Sequence, residues 1–193
     1  MAKEITREIE KDPKFTFVPS LGFYVADEIS FRERDWYDCR LGLKKKGSFM
    51  LTAEQFWHYY DFCSSERRDI IDNSLRNPEN DEWLNVIAKD KKFFVINPDI
   101  NEDFTLSGGI SGTLLWGWDS FKRKDVNSRT GLPERFYTEG NYWNEEFKYL
   151  APTDPLSALI KEGYEETLVL NFDSIDVTHK HLGVRECRSK YTL

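Results

Sequence analysis

The stretch Thr52-Ala53-Glu54-Gln55 is a strong helix-start signal. It is a capping box, in which the threonine hydroxyl and the glutamine side chain each pair with a backbone N–H that the first helical turn leaves free. Apolar residues then recur at the i, i+3, i+4 and i+7 spacing of one helix face. The sequence therefore predicts a helix to about Cys63 that packs this stripe against a core, with Leu51 as a staple and His58 at the rim. The stripe consists of Phe56, Tyr59, Tyr60 and Cys63.

Other patterns predict further strands and helices around this helix. β-forming residues on both sides of a Pro-Ser-x-Gly turn predict two early strands, near residues 15–18 and 23–25. Helical spacing predicts a second helix over residues 65–76, with Ile70, Ile71 and Leu75 inward, and a third over residues 83–88. Later segments are predicted as strands at residues 93–96, 142–143, 167–172 and 184–187, and as a brief helix at residues 155–161.

Size and composition indicate one folded α+β domain over residues 1–193. A chain of 193 residues fits a single domain, because domains usually hold about 100–200 residues. The hydrophobic share of 39% and the aromatic share of 15% are enough to form a core.

Charge and hydropathy exclude several classes of partner. A net charge of −7 opposes general nucleic-acid binding, which needs a basic face. The short basic run of residues 44–46 is interpreted as a solvated loop before Gly47. No window approaches the ~20 apolar residues of a membrane span, and the first residues lack the apolar stretch of a signal peptide. We therefore expect cytoplasmic synthesis, no membrane span and no nucleic-acid partner.

The cysteines predict core packing and not chemistry. The chain has 3, namely Cys39, Cys63 and Cys187, an odd number at wide spacing, which excludes a complete disulfide framework and a Cys-x-x-Cys metal signature. Reduced, mostly buried thiols are expected.

Three other residue groups could carry chemistry, and each has a plainer interpretation. The glycine-rich residues 107–112 lack the Gly-Lys-Ser/Thr ending of a phosphate loop and fit a tight turn between strands. His179 and His181 would project to one side of an extended segment, with Asp176 near, but a zinc site normally has three or four protein ligands. Acidic residues 139, 145 and 146 could form a glycosidase pair, yet such clusters arise by chance among 34 acidic residues. We expect no enzyme activity and no cofactor.

Three segments, taken in order, carry a family resemblance. Residues 49–56 are similar to an Arg-Leu-Pro-Thr-x-x-Glu-Trp helix entry, without its Arg and Pro. Residues 131–133 and 140–144 resemble a Leu-Pro and Gly-x-Tyr-Trp-Ser-Ser segment, without its two serines. Residues 168–174 and 182–188 resemble a closing strand, a loop and a Gly-Phe/Val-Arg strand. Together they resemble the C-type lectin fold in its formylglycine-generating-enzyme-like branch, with an insertion expected within residues 66–130.

That resemblance implies a small twisted, mostly antiparallel sheet and two or three helices supporting long irregular loops. Within that branch the chain most resembles the variable proteins of diversity-generating retroelements. This resemblance implies that an exposed C-terminal surface of the chain binds a protein or surface ligand of unknown identity. The implied location is a virion or particle surface. Alternatives that stay open are a formylglycine-type oxidase, which needs paired cysteines, and a structural viral particle subunit. From composition alone, an ordinary hairpin loop is the plainer interpretation of residues 173–181. The variable surface is expected to comprise Asn141, Asn144, Glu145, Asp173, Ser174, Ile175, Asp176, Thr178, His179 and His181.

Overall fold

A computed structural model describes part of the chain. The backbone is described for residues 14–75, 77, 80–89, 92–95, 110–113, 118–129, 131–134, 147–150, 156–162, 168–174, 178 and 180–190. Side chains are described for residues 14–75, 77, 80–86, 122–129, 131–134, 178 and 180–190.

The helices lie mainly in the first half of the chain and the second half is mainly strands. The first half contains β1 (Phe15–Val18), β2 (Phe23–Ser30), α1 (Trp36–Lys45), β3 (Phe49–Met50), α2 (Ala53–Glu66), α3 (Arg68–Ile70) and a short π-helix (Ile71–Leu75). After these elements come β4 (Asp81–Lys89), β5 (Lys92–Val95), β6 (Ile110–Thr113), β7 (Trp118–Phe121), a 3₁₀-helix (Arg123–Asp125), β8 (Phe147–Leu150), β9 (Leu156–Glu162), β10 (Leu168–Ser174) and β11 (Leu182–Ser189).

The described strands form one sheet of 11 strands. Its main path runs β1-β2-β11-β4-β9-β10-β8-β7, with β3 beside β11 and with β5 and β6 extending from β4. Among these strands only β4 with β11 and β8 with β10 pair in parallel. Helices beside a mostly antiparallel sheet confirm the predicted α+β class. None of the helices within the described residues has the length and apolar character needed to cross a bilayer.

Strand β11 lies between two hydrophobic clusters, one on each face of the sheet. Leu182 and Val184 belong to the cluster that includes Trp36 of α1. Cys187 belongs to the cluster that includes Phe56 of α2. Because side chains alternate across a strand, this division means that α1 covers one face of the sheet and α2 the other.

Helix α2 confirms the helix-start prediction. The Thr52 hydroxyl accepts from the Gln55 backbone N–H at 3.2 Å, and the Gln55 side chain accepts from the Thr52 N–H at 3.0 Å. The whole predicted stripe is buried, and Leu51 is fully buried. His58 lies at the rim, where its Nε2 is 2.9 Å from Oε1 of Glu54.

Residues 122–129 and 131–134 include contacts with α2. The indole Nε1 of Trp57 donates to the Gly131 carbonyl at 2.7 Å. Gly131 has φ +71°, and a Cβ there would lie 2.0 Å from the backbone nitrogen of Glu54. Only glycine permits both this conformation and this approach. Arg123 adds a 2.6 Å ion pair with Asp61, so contacts from Gly131 and Arg123 both hold this region against α2.

The predicted third helix, over residues 83–88, is wrong. These residues lie in β4, where Trp83 joins the α1-side cluster and Leu84 joins the α2-side cluster. A strand buried on both faces lacks the polar alternation of a half-exposed strand, so a short apolar run can match helical spacing.

One further predicted helix is wrong, and one observed helix was not predicted. The brief helix predicted at residues 155–161 is wrong, because residues 156–161 belong to β9, which lies between β4 and β10. Helix α1 was not predicted, although Asp35 caps it by accepting from the Asp38 N–H at 2.7 Å. The basic run of residues 44–46 is exposed as predicted, but Lys44 and Lys45 form the last turn of α1 and not a loop.

The remaining predictions differ in how much of each the structure describes. The early strands are confirmed, and the strands predicted at residues 93–96, 167–172 and 184–187 correspond to β5, β10 and β11. The helix predicted over residues 65–76 is divided between the end of α2, α3 and the π-helix, with Ile70, Ile71 and Leu75 buried as predicted. The strand predicted at residues 142–143 and the acidic residues 139, 145 and 146 lie outside the described residues.

Candidate functional site

The described part of the predicted variable surface lies where the chain enters β11. Thr178 is exposed, as is Lys180, which the sequence analysis did not single out. His181 is partly exposed, and the next residue, Leu182, is completely buried. The chain therefore passes from solvent into the core within two residues.

The other predicted surface residues are described only in part. Asp173 and Ser174 form the end of β10, where they pair with Ser157 and Leu156 of β9. Their backbone is described, and their side chains are not. Lying outside the described residues are Asn141, Asn144, Glu145, Ile175, Asp176 and His179.

The strands on either side of this segment do not form a hairpin. β10 is antiparallel to β9, β9 is antiparallel to β4, and β4 is parallel to β11. β10 and β11 therefore point the same way, with β9 and β4 between them. A hairpin requires adjacent antiparallel strands, so the hairpin interpretation of residues 173–181 is wrong. Because β10 and β11 are parallel, the end of β10 and the start of β11 lie at opposite ends of the strands.

Backbone hydrogen bonds fix the start of β11. The Asp81 N–H donates to the carbonyl of His181 at 3.0 Å, and the Glu33 N–H donates to the carbonyl of Leu182 at 3.0 Å. One bond comes from the start of β4 and the other from the turn before α1. Exposed residues at this point are thus attached to a backbone held from two sides.

Arg185 anchors β11 deeper in the protein. Its side chain is 1% exposed, and its Nε donates to Oε2 of Glu82 on β4 at 3.0 Å. Its other nitrogens donate to the carbonyls of Ala26 and Asp27 at 2.9 and 2.7 Å and to the hydroxyl of Ser74 at 3.2 Å. One guanidinium therefore connects β11 to β4, β2 and the π-helix.

The electrostatics of this pair favour a fixed arrangement. Burial raises the pKa of Glu82, and the charge and hydrogen bond of Arg185 oppose that rise. Glu82 Oε1 has no hydrogen-bond partner among the described residues. A buried carboxylate is costly without its cation, so separating the two side chains would be strongly unfavourable. Sequence analysis did not identify this pair; a charged residue within the apolar pattern of β11 was the available signal.

The three thiols lie in the core. Cys39, Cys63 and Cys187 are buried and unpaired with one another. Burial raises the pKa of Cys39 to about 12 and that of Cys63 to about 11, and it raises the pKa of Cys187 well above its ordinary value. The thiolate is the form that attacks substrates and binds metals, so these positions favour packing.

His181 is the described member of the histidine pair considered as a metal site. In the portion that the structure describes, no group of three or more His, Cys, Asp or Glu side chains could hold a metal ion. The pairing of His179 with His181 stays untested, because His179 lies outside that portion.

Comparison with known proteins gives no assignment. No family model, no curated protein and no solved structure matches this chain.

Proposed function

We propose that this chain is a recognition protein with a C-type lectin fold of the formylglycine-generating-enzyme-like branch, acting as the variable protein of a diversity-generating retroelement. This protein binds a protein or surface ligand and lies on the surface of a virion or particle. Its binding surface comprises Asn141, Asn144, Glu145, Asp173, Ser174, Ile175, Asp176, Thr178, His179 and His181. The order of the three sequence motifs and the α+β class support this proposal.

The observation that carries the proposal is the contrast between residues 178–181 and the strand that follows them. Thr178 and Lys180 are exposed, whereas every residue from 182 to 187 is buried. A variable surface needs side chains that can change without unfolding the protein, on a backbone that does not move when they change. The exposure of Thr178 and Lys180 and the backbone hydrogen bonds of residues 181 and 182 support the proposal on these two counts.

The contrast can be measured as a difference in how substitutions change the free energy of unfolding. Exposed substitutions away from caps and buried networks usually change the free energy of unfolding by less than about 0.5 kcal/mol. Truncating a fully buried leucine costs about 2–5 kcal/mol. Two neighbouring positions should therefore differ several-fold in their effect on stability.

The first experiment measures this tolerance by urea unfolding. Thr178→Ala, Thr178→Asp and Lys180→Ala are each expected to change the free energy of unfolding by less than about 0.5 kcal/mol. Leu182→Ala is the matched control, and it should cost about 2–5 kcal/mol because Leu182 is completely buried. If the substitutions at Thr178 or Lys180 cost as much as the control, this stretch is not a display surface.

The second experiment concerns diversification. The 3′ end of the gene is compared with neighbouring sequence for a near-copy that differs mainly at adenines, and the neighbourhood is searched for a reverse transcriptase. A template repeat with differences at the codons of residues 173–181 is expected. Absence of both the repeat and the enzyme would remove the retroelement role, while the stability experiment would still decide the display role.

A further inference from the structure

The turn between β2 and α1 contains two residues that hold an unfavourable backbone conformation. Phe31 has φ 54° and Glu33 has φ 61°, and they are the non-glycine residues with positive φ in the described part of the chain. This conformation brings the Cβ atom of an L-residue close to the following carbonyl oxygen. Such strain persists where neighbouring contacts hold the backbone, and it is common at binding sites. A side chain at such a position therefore needs a compensating role.

Hydrogen bonds from two strands hold this turn in place. The Glu33 N–H donates to the carbonyl of Leu182 at 3.0 Å. The indole Nε1 of Trp83 donates to the carbonyl of Arg34 at 3.2 Å. One bond reaches β11 and the other comes from β4. The turn is thus fixed against the sheet at the point where β11 begins.

Phe31 has a role inside the protein. Its ring packs against the hydrophobic cluster that includes Trp36, and the Lys46 ammonium lies 4.5 Å from the ring centre. The ring also fills the space beside Gly42, where an added Cβ would lie 2.3 Å from the ring atom Cε1. Packing of its side chain therefore offsets the strain at Phe31.

Glu33 has no such role among the described residues. Its side chain is exposed, and its carboxylate has no hydrogen-bond or ion-pair partner in the part of the chain that the structure describes. The arginines on either side have partners within the fold. Nη2 of Arg32 donates to Oδ1 of Asn80 at 2.5 Å, and Nη1 of Arg34 lies 3.9 Å from Oδ2 of Asp38. The Glu33 carboxylate is thus available to a group outside the fold.

The other described residues with positive φ are glycines. Gly22, Gly47 and Gly131 have φ of 74°, 70° and 71°. Glycine adopts this conformation without the steric cost that a side chain brings. The backbone therefore does not account for a glutamate at position 33, and a contact made by its side chain does.

Glu33 lies beside the proposed recognition surface. Its N–H bonds to Leu182, which directly follows His181, and Thr178 and Lys180 are exposed just before it. We propose that Glu33 is a fixed contact residue of that surface, and that its carboxylate binds a guanidinium or ammonium group of the ligand protein. This inference rests on the proposed function, to which it adds a constant acidic contact and a basic partner chemistry.

The chemistry of the carboxylate determines the partner group. An ionised carboxylate only accepts hydrogen bonds, and its strongest partners are the charged donors of arginine and lysine. The net charge of the chain is −7, which favours the approach of a basic protein over long range. The rigid turn keeps the carboxylate in one place, which reduces the entropy lost on binding.

The test selects ligands from a displayed library of random peptides of about twelve residues, with the full chain as the target. The enriched peptides should be rich in arginine or lysine, and fluorescence anisotropy of synthetic copies gives their Kd. Glu33→Gln should weaken their binding about tenfold. Glu28→Gln, at an exposed acid of β2, is the matched control and should change it less than about twofold.

Melting temperatures separate a contact role from a folding role. Glu33→Gln should shift the melting temperature by less than about 2 °C, because the side chain has no described partner to lose. Glu33→Gly should also stay within about 2 °C, since relief of strain and the added freedom of the unfolded chain oppose each other. A fall of more than about 5 °C in Glu33→Gln would assign the side chain to folding and overturn the proposal.

The binding results also separate this inference from the proposed function. Thr178→Arg, which adds bulk and a charge that repels basic peptides, should weaken binding of the same peptides. If Thr178→Arg weakens binding and Glu33→Gln does not, the proposed surface stands and the Glu33 contact is wrong. If only Glu33→Gln weakens binding, the contact stands and the proposed surface is wrong. Enriched peptides without basic residues, equal effects of Glu33→Gln and Glu28→Gln, or no enrichment at all would overturn the inference.

Discussion

The hydroxyl of Ser48, which follows α1, donates to Oε1 of Glu186 on β11 at 2.8 Å. Arg188 donates to the same oxygen at 2.8 Å, and Lys46 lies 3.4 Å from the other. Burial acts to raise the pKa of Glu186, but the hydrogen bonds from Arg188 and Ser48 and the nearby cations hold it below its ordinary value of 4.5. Ionisation of this carboxylate therefore strengthens the link between the end of α1 and the sheet.

This relationship predicts an acid-dependent loss of stability. A carboxyl whose pKa is lowered by folding stabilises the protein above its unfolded pKa, and that contribution disappears as the pH falls through the folded pKa. Glu186→Gln should lower the free energy of unfolding by about 1–2 kcal/mol at pH 7. The difference from the unmodified protein should shrink below about pH 4.5, measured by urea unfolding across a pH series. Glu28→Gln, at an exposed acid of β2, is the control and should show no such trend.

The Arg185–Glu82 pair predicts a non-additive response to substitution. Arg185→Met leaves a buried carboxylate without its cation and should cost about 3–5 kcal/mol. The double variant Glu82→Met with Arg185→Met removes both charges and should be more stable than Arg185→Met alone. Chemical unfolding of the single and double variants measures the difference.

Arg34 provides the control for that experiment. It forms a 3.9 Å ion pair with Asp38, and both side chains are 55% exposed. Arg34→Met should cost less than about 1 kcal/mol, because exposed pairs contribute little. If the stability loss of the Glu82→Met, Arg185→Met double variant equals the sum of the losses of the two single variants, the buried pair is not coupled as its geometry indicates.

Gly131 predicts a substitution effect that combines strain and overlap. Gly131→Ala places a Cβ 2.0 Å from the Glu54 nitrogen at φ +71°. Gly22 is the matched control, because it has φ +74° and nothing within 4 Å of the added atom. Gly22→Ala should cost about 1–2 kcal/mol from strain alone, and Gly131→Ala should cost about 1–3 kcal/mol more from overlap. Thermal unfolding that gave equal losses would mean that the loop moves off α2 without penalty.

Local signals explain which parts of the fold could be predicted. The capping box and stripe of α2 lie within one short stretch, so Thr52 and Phe56 could be placed from sequence. Trp83 could not, because its position depends on pairing with β9 and β11, whose residues are far away in the chain. Strand identity for residues 83–88 is a property of the sheet and not of the segment.

The candidate site also combines features that sequence could predict with features that it could not. The polar character of Thr178 predicted its exposure, which is a local property. The buried ion pair below it joins Arg185 to Glu82, which are 103 positions apart in sequence. No local sequence pattern around either residue predicts its partner. The predicted hairpin between β10 and β11 is wrong for the same reason, since β4, one of the two intervening strands, comes from a distant part of the chain.

The buried thiols predict slow alkylation of the folded protein. Burial raises the pKa of Cys63 from 9.0 to about 11, which lowers its thiolate fraction near pH 8 about a hundredfold, and the core also blocks access. Iodoacetamide should therefore label Cys39, Cys63 and Cys187 only after unfolding in urea, as counted by mass spectrometry. Thr178→Cys is the positive control, because a thiol at that exposed position should be labelled in the folded state. Rapid labelling of Cys187 in the folded protein would instead indicate an accessible thiolate, and tight copper binding lost on Cys187→Ser would then favour the oxidase alternative over a recognition role.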